Sequence, residues 1–282
     1  MNSLNEIIKW IENHLDSKMT SEDVARKSGY TSRHLYSKFK KSIGISVASY
    51  IRLRKLTQAS YMLRRSGRPI TEIAFMYGFD SLQHFSRLFK NHFGLSPRAF
   101  RNAESWNMSL FYPSVIVSDF NYRSSVIYLK NYHVSFEHEE NITIDYGFNF
   151  LVSTYEGNII ISKNLEEHYI PIFKNILKVE SSFTILGDII PMKGSDAEIK
   201  TYIGKISNKN TSKGNYKKIP PSKYICFKYS GSLKDIMAFH SWASGHGLHK
   251  HKCILQKGPT FSTFLNSNEP DIFILHHYIP II

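Results

Sequence analysis

Val24-Ala25-Arg26-Lys27-Ser28-Gly29-Tyr30 and Ile73-Ala74-Phe75-Met76-Tyr77-Gly78-Phe79 state one pattern twice. The shared phrase is A-x3-G-[YF], with Ala25 and Ala74 standing 49 positions apart. Glycine enters left-handed backbone cheaply, so each copy reads as a short helix, a tight turn at Gly29 or Gly78, and a second helix. Each second helix closes on Phe-Lys, at Phe39-Lys40 and Phe89-Lys90. Each then runs into Gly and Ser, at Gly44 and Ser46 or Gly94 and Ser96. Two helix–turn–helix units on one small scaffold predict a chain that reads two stretches of DNA at once.

Capping signals extend the reading outward. Ser3 with Glu6 and Thr20 with Asp23 are capping-box pairs. Leu4, Ile7, Ile8, Ile11 and Leu15 carry the period of a first helix. Thr31 or Ser32 caps a helix to about Ile43. Ser46 opens a long connector over about 47–66, with Val47, Tyr50, Ile51, Leu56, Ala59 and Leu63 as its buried face. Gly67 and Pro69 separate the connector from a fifth helix, Ser81 caps a sixth, and Ser96-Pro97 opens a short last one.

The faces of the two reading helices separate by spacing. Leu35 with Phe39, and Phe85 with Phe89, stand four apart and point into two cores. The other face carries Arg33, Tyr36, Ser37 and Lys40 on one helix, and Gln83, Ser86, Arg87 and Lys90 on the other. Arg33, Tyr36, Ser37, Gln83, Ser86 and Arg87 are the base-reading candidates, with Arg and Gln suited to base edges. Lys40, Lys41 and Lys90 are the phosphate candidates. The step from turn glycine to Phe-Lys is ten residues in the first unit and eleven in the second. The cores repeat while the reading faces differ, so the expected target is asymmetric.

Charge agrees with this reading. The chain has 282 residues and a formal net charge of +13. Residues 1–103 hold 18 Lys+Arg against 7 Asp+Glu, net +11, while residues 104–282 hold 18 against 16, net +2. Ten arginines fall in the first stretch and only Arg123 beyond it. Arginine's planar fork suits phosphate and guanine. Hydrophobic content of 42% excludes general disorder. No apolar run is long enough to span a membrane, and the first residues lack the pattern of a signal peptide. With two cysteines, Cys226 and Cys253, the chain reads as cytoplasmic.

Beyond a connection over 104–121, the second half (122–282) reads as α+β. Strands are expected over 147–155, 198–206, 224–229, 260–265 and 271–279, with helices over 164–179 and 233–242. The strand–helix–strand phrase occurs twice. His240, His246, His249, His251 and Cys253 crowd together, but their spacing matches no zinc pattern, and the stretch reads as a solvated loop. No nucleophile elbow, P-loop or paired carboxylates appear, so the chain is read as a non-enzyme without a cofactor or metal.

Ala74–Ser81, Phe85–Lys90 and Gly94–Pro97, with His34-Leu35 in the first unit and Tyr50–Leu56 on the connector, resemble the signature of the AraC/XylS family of bacterial transcription regulators. Within it, residues 1–103 are most similar to the MarA/SoxS/Rob group. That group carries Trp and Gln where this chain has Arg33 and Tyr36, a departure on the reading face. The resemblance implies a seven-helix domain over 1–103 that places one recognition helix in each of two adjacent major grooves of promoter DNA. It also implies RNA polymerase as a partner and activation as the usual outcome. Pro221–Tyr224, Phe227–Gly231 and Ile279–Ile281 resemble the GyrI-like effector-binding domain that follows the DNA-binding half in Rob-like members. This implies a small-molecule cleft, for which Tyr155, Tyr202, Tyr229 and Trp242 are the candidate lining. Two other readings stand beside this one: a sequence-tolerant, nucleoid-type DNA-binding protein, and a ligand-sequestering module fused to a DNA-binding half.

Overall fold

Capping chemistry sets the helical region. In this computed structural model Ser3 and Thr20 both form complete capping boxes, with Glu6 and Asp23. They open α1 (Leu4–Glu12) and α2 (Ser21–Ser28). α1 ends before Leu15 because Asn13 caps it, and Leu15 is still buried in the turn that follows. The elements α3 (Ser32–Ile43), α4 (Val47–Arg65), α5 (Ile70–Met76), α6 (Leu82–Phe93) and α7 (Pro97–Arg101) follow. All six connector residues expected to be buried are so. The structure describes residues 3–116, 120–144, 171, 173–192, 197–208, 214–267, 269 and 271–282.

The stretch expected to be a plain connection is part of the sheet. β1 (Ser105–Asn107) pairs antiparallel with β8 (Ile254–Gln256), and a 3-10 turn, Met108–Leu110, follows it. The other strands are β2 (Arg123–Leu129), β3 (His133–Ile144), β4 (Ser182–Pro191), β5 (Ala197–Ser207), β6 (Tyr216–Lys218), β7 (Ser222–Gly231), β9 (Thr260–Asn266) and β10 (Phe273–Ile281). The pairing order across the sheet is β2-β7-β10-β9-β4-β5-β3-β6, all antiparallel. A helix α8, described over 173–179, lies between β3 and β4, and α9 (Leu233–Trp242) lies between β7 and β9. Each half of the sheet is thus a strand, a helix and a hairpin, and the two halves meet where β4 pairs with β9. The second copy of the strand–helix–strand phrase in the sequence corresponds to β7, α9 and the β9–β10 hairpin. The strand expected over 147–155 lies outside the described residues.

The histidine-rich stretch is helical, which corrects its reading as a loop. His240 is on α9, and a π-turn, Ala243–Gly247, leads into the helical turn Leu248–Lys250. Apolar contacts hold it there: Ala243, Gly247 and Leu248 are buried, and Gly247 sits against Trp242 and Phe227.

Candidate nucleic-acid interface

The two reading helices are built alike. Thr31 accepts a hydrogen bond from the His34 amide at 3.2 Å to cap α3, and Ser81 accepts from the His84 amide at 3.1 Å to cap α6. Both helices end at a left-handed glycine, Gly44 and Gly94. Leu35, Phe39, Phe85 and Phe89 are buried, and Phe85, Phe89 and Phe93 form a row of tilted aromatic contacts.

The opposite faces point to solvent. Arg33, Ser37, Lys40 and Lys41 are exposed on α3, and Gln83, Arg87 and Lys90 on α6; Ser86 is half-buried. Tyr36 is 54% exposed, far too open for a core tyrosine. Among the described residues no ion pair engages Arg33, Lys40, Lys41, Arg87 or Lys90. Lys38 differs: it donates to the Tyr30 hydroxyl at 2.7 Å and lies over that ring. The faces therefore present positive charge without internal compensation, a surface suited to a polyanion.

The relative setting of the two units comes from contacts that sequence reasoning passed over. Gly78 has φ +68°, and a Cβ added there would lie 2.6 Å from the Ser17 carbonyl oxygen. Ser17 belongs to the loop between α1 and α2, so the turn of the second unit packs directly on the first. Lys55 of α4 donates to that same carbonyl at 2.6 Å. Burial pushes the Lys55 ammonium down to about 8. Lys18 and Asp80 close the contact with an exposed ion pair at 2.6 Å. On the other side of α4, Arg54 makes a two-pronged contact with Glu12, 2.8 Å from Nε and from Nη2. Arg54 Nη1 also reaches the Tyr112 carbonyl, and Tyr50 donates to Glu12. A buried ion pair stays favourable only when its spare hydrogen-bonding capacity is met, and here it is. The signal in the sequence was faint: Glu12 is one of two acidic residues on α1, and Arg54 is one of four arginines on α4.

The candidate effector residues separate. Tyr229 stacks on Phe239 at 4.5 Å, and Phe239 stacks on Trp242 at 5.4 Å, with Phe120 and Tyr122 completing the cluster. Tyr202 is buried elsewhere, against Phe136 and under Lys217. Tyr155 lies outside the described residues. Of the histidines, His251 meets Tyr122 at 3.1 Å, His249 lies 3.1 Å from the Met108 carbonyl, and His240 shares Ser262 with His277. Among the described residues no group of His, Cys, Asp and Glu is arranged to hold a metal ion, and no helix is long and apolar enough to cross a membrane.

Comparison with known proteins places this geometry. A family model described as a helix-turn-helix domain matches residues 24–103. The transposon Tn10 TetD protein of Escherichia coli is 42% identical over 105 residues, covering 37% of this chain and 76% of that protein. The multiple antibiotic resistance protein MarA of Escherichia coli (strain K12) is 39% identical over 109 residues, covering 39% of this chain and 86% of that protein. The transcriptional regulator Rob of Salmonella typhimurium (strain LT2) is 36% identical over 117 residues, but the match spans only 42% of this chain and 40% of Rob. With most of two smaller relatives covered by its helical region, the chain belongs to the AraC/XylS family of transcription regulators.

Proposed function

We propose that this protein is a sequence-specific DNA-binding transcription regulator, an activator working with RNA polymerase, that lays α3 and α6 in adjacent major grooves of one asymmetric site. The observation that carries the reading is the pair of uncompensated basic faces held in one setting by Ser17, Gly78 and Lys55. Arg33, Tyr36 and Ser37, and Gln83, Ser86 and Arg87, face the bases. Lys40, Lys41 and Lys90 neutralise phosphates. Lys40 and Lys41 lie in the last turn of α3, where cations also favour the helix dipole. Residues 1–103 form the reading domain and 122–282 a GyrI-like effector-binding domain, with β1 of the intervening stretch joined to the sheet. The pseudo-twofold sheet supports the GyrI-like assignment, and the Tyr229–Phe239–Trp242 cluster is its candidate recognition surface.

The test is Arg87→Ala against a site selected from random DNA. The expected loss is roughly 1–3 kcal/mol on that site, with discrimination relaxed at one base pair. An equal loss on all sequences would reduce Arg87 to a phosphate contact. A specific-to-random ratio near unity for the unaltered protein would favour the nucleoid-type reading instead.

A further inference from the structure

Between the end of α4 and the sheet lies an open cleft of about 710 Å3. Arg64, Arg65, Arg101 and Lys257 line it, and no Asp or Glu does among the described residues. Arg101 is anchored: its Nε donates to the Leu63 carbonyl at 3.1 Å and its Nη2 to that of Arg68 at 2.6 Å. Lys257 lies 3.4 Å from Glu104 at the exposed rim.

Arg64 is different. Its guanidinium lies over the Trp106 ring, 4.5 Å from the centroid. Its Nε and Nη1 are closed off from solvent and meet no hydrogen-bond acceptor among the described residues. Withdrawing N–H groups of a cation from water without giving them acceptors is costly. Burial, with the Arg65 charge beside it, pushes Arg64 down to about 9, so it remains charged at neutral pH. The structure thus places along the cleft a half-buried cation, two of whose N–H donors meet no acceptor among the described residues. Apolar side chains, Trp106, Leu248, Leu255 and Ile279, line part of the remaining wall, and Asn102 and Gln256 are among the polar ones.

We propose that this cleft binds a small organic phosphate, its phosphoryl group on Arg64 and its apolar body along Trp106 and Leu255. A phosphomonoester brings three acceptor oxygens and up to two negative charges. That suits Arg64, Arg65 and Arg101, none of which forms an ion pair with a carboxylate among the described residues, and guanidinium forks match its geometry. The site joins residues of both halves, and it stands whether or not the chain reads DNA as proposed above.

Phenyl phosphate titrated calorimetrically into the full-length protein at fixed ionic strength is the test. One saturable site is expected, with inorganic phosphate binding more weakly because it lacks the apolar body. Arg64→Gln loses about tenfold or more in affinity, the cost of a charge-assisted hydrogen bond. Lys257→Gln, at an exposed position that does not threaten folding, loses about threefold, as expected of a partly screened charge. No saturable binding at millimolar phenyl phosphate overturns the proposal. Unchanged affinity in folded Arg64→Gln, or in Lys257→Gln should Arg64→Gln fail to fold, does the same. Benzoate binding as tightly as phenyl phosphate would overturn the choice of a phosphate.

Discussion

The two helix–turn–helix units share a sequence pattern and differ in what completes them. The first is closed locally. Ile7, Ile8 and Ile11 of α1 pack on Val24, Leu35, Phe39, Tyr50 and Ile51 in a cluster of their own. Among the described residues of the connecting segment, half-buried Tyr112 and Ile116 pack on that cluster, and Ser114 meets the Tyr50 hydroxyl. The second has no α1 of its own. Its Ile73, Phe85, Phe89 and Phe93 belong to a cluster that continues through Trp106 and Phe111 into Phe227, Phe239 and Ile279 of the other half. A repeated local pattern specifies a repeated local shape, but the surface each copy must bury can be met in different ways. Here the core under one reading helix is closed within its own domain, and the core under the other continues into the sheet.

The sharpest way to break this contrast is at the weld. Phe111 is buried between Tyr61, Phe93 and Phe100, with ring centroids 5.2, 5.5 and 6.4 Å away. Phe111→Ala should cost roughly 3–5 kcal/mol, since an aromatic side chain removed from a packed interior leaves a cavity that its neighbours fill only in part. Hydrogen exchange should show α6 and β10 losing protection together, with α3 losing less. Equal loss in α3 and α6 would mean that the units are one cooperative block.

Glycine substitutions at the matched turns make the next test. Gly29 has φ +75° and open space where a Cβ would go, so Gly29→Ala should cost only about 1–2 kcal/mol of backbone strain. Gly78 has φ +68°, and its added Cβ would drive into the Ser17 backbone, which cannot swing aside as a side chain can. Gly78→Ala should therefore cost roughly 3 kcal/mol, adding overpacking to strain. Urea denaturation of the two variants decides it. Equal losses would show that Gly78 is an ordinary turn glycine and that the two units are not packed turn to turn.

Much of the helical region was legible because short-range chemistry decides it. Thr31, Ser46, Ser81 and Ser96 cap helices where their spacing from the apolar stripe placed them, and the core faces followed from the helical period. The basic faces were legible for the same reason. What escaped were features made by distant residues. Nothing near Glu12 in the chain announces Arg54, and nothing near Gly78 announces Ser17. β2 was missed because it is an edge strand with only Leu129 buried, so it lacks the alternation of a half-buried strand. The histidine stretch misled because polar composition resembles a loop, while its burial depends on Met108 and Tyr122 from far upstream.

Acid supplies the gentlest test of the same contrast. His240 and His277 face one another at 4.4 Å and share the Ser262 hydroxyl, with Phe264 against the His240 ring. Burial pushes His240 down to about 4, and burial with the neighbouring His240 pushes His277 well below its ordinary value. His92 on α6 is also lowered by burial. In the unfolded chain histidine titrates near ~6.5. As pH falls below that, the unfolded chain takes up protons that the folded chain refuses, so stability falls between about pH 6.5 and 4 and is recovered above it. For His240 alone the loss from pH 7 to 5.5 should be about 1 kcal/mol, and His240→Gln should flatten that part of the slope in urea unfolding. All three groups belong to the second unit and the sheet its core continues into. Mild acid should therefore loosen α6, β9 and β10 in hydrogen exchange before it loosens α3. Protection falling first in α3 would place the acid-sensitive groups in the wrong half of the molecule.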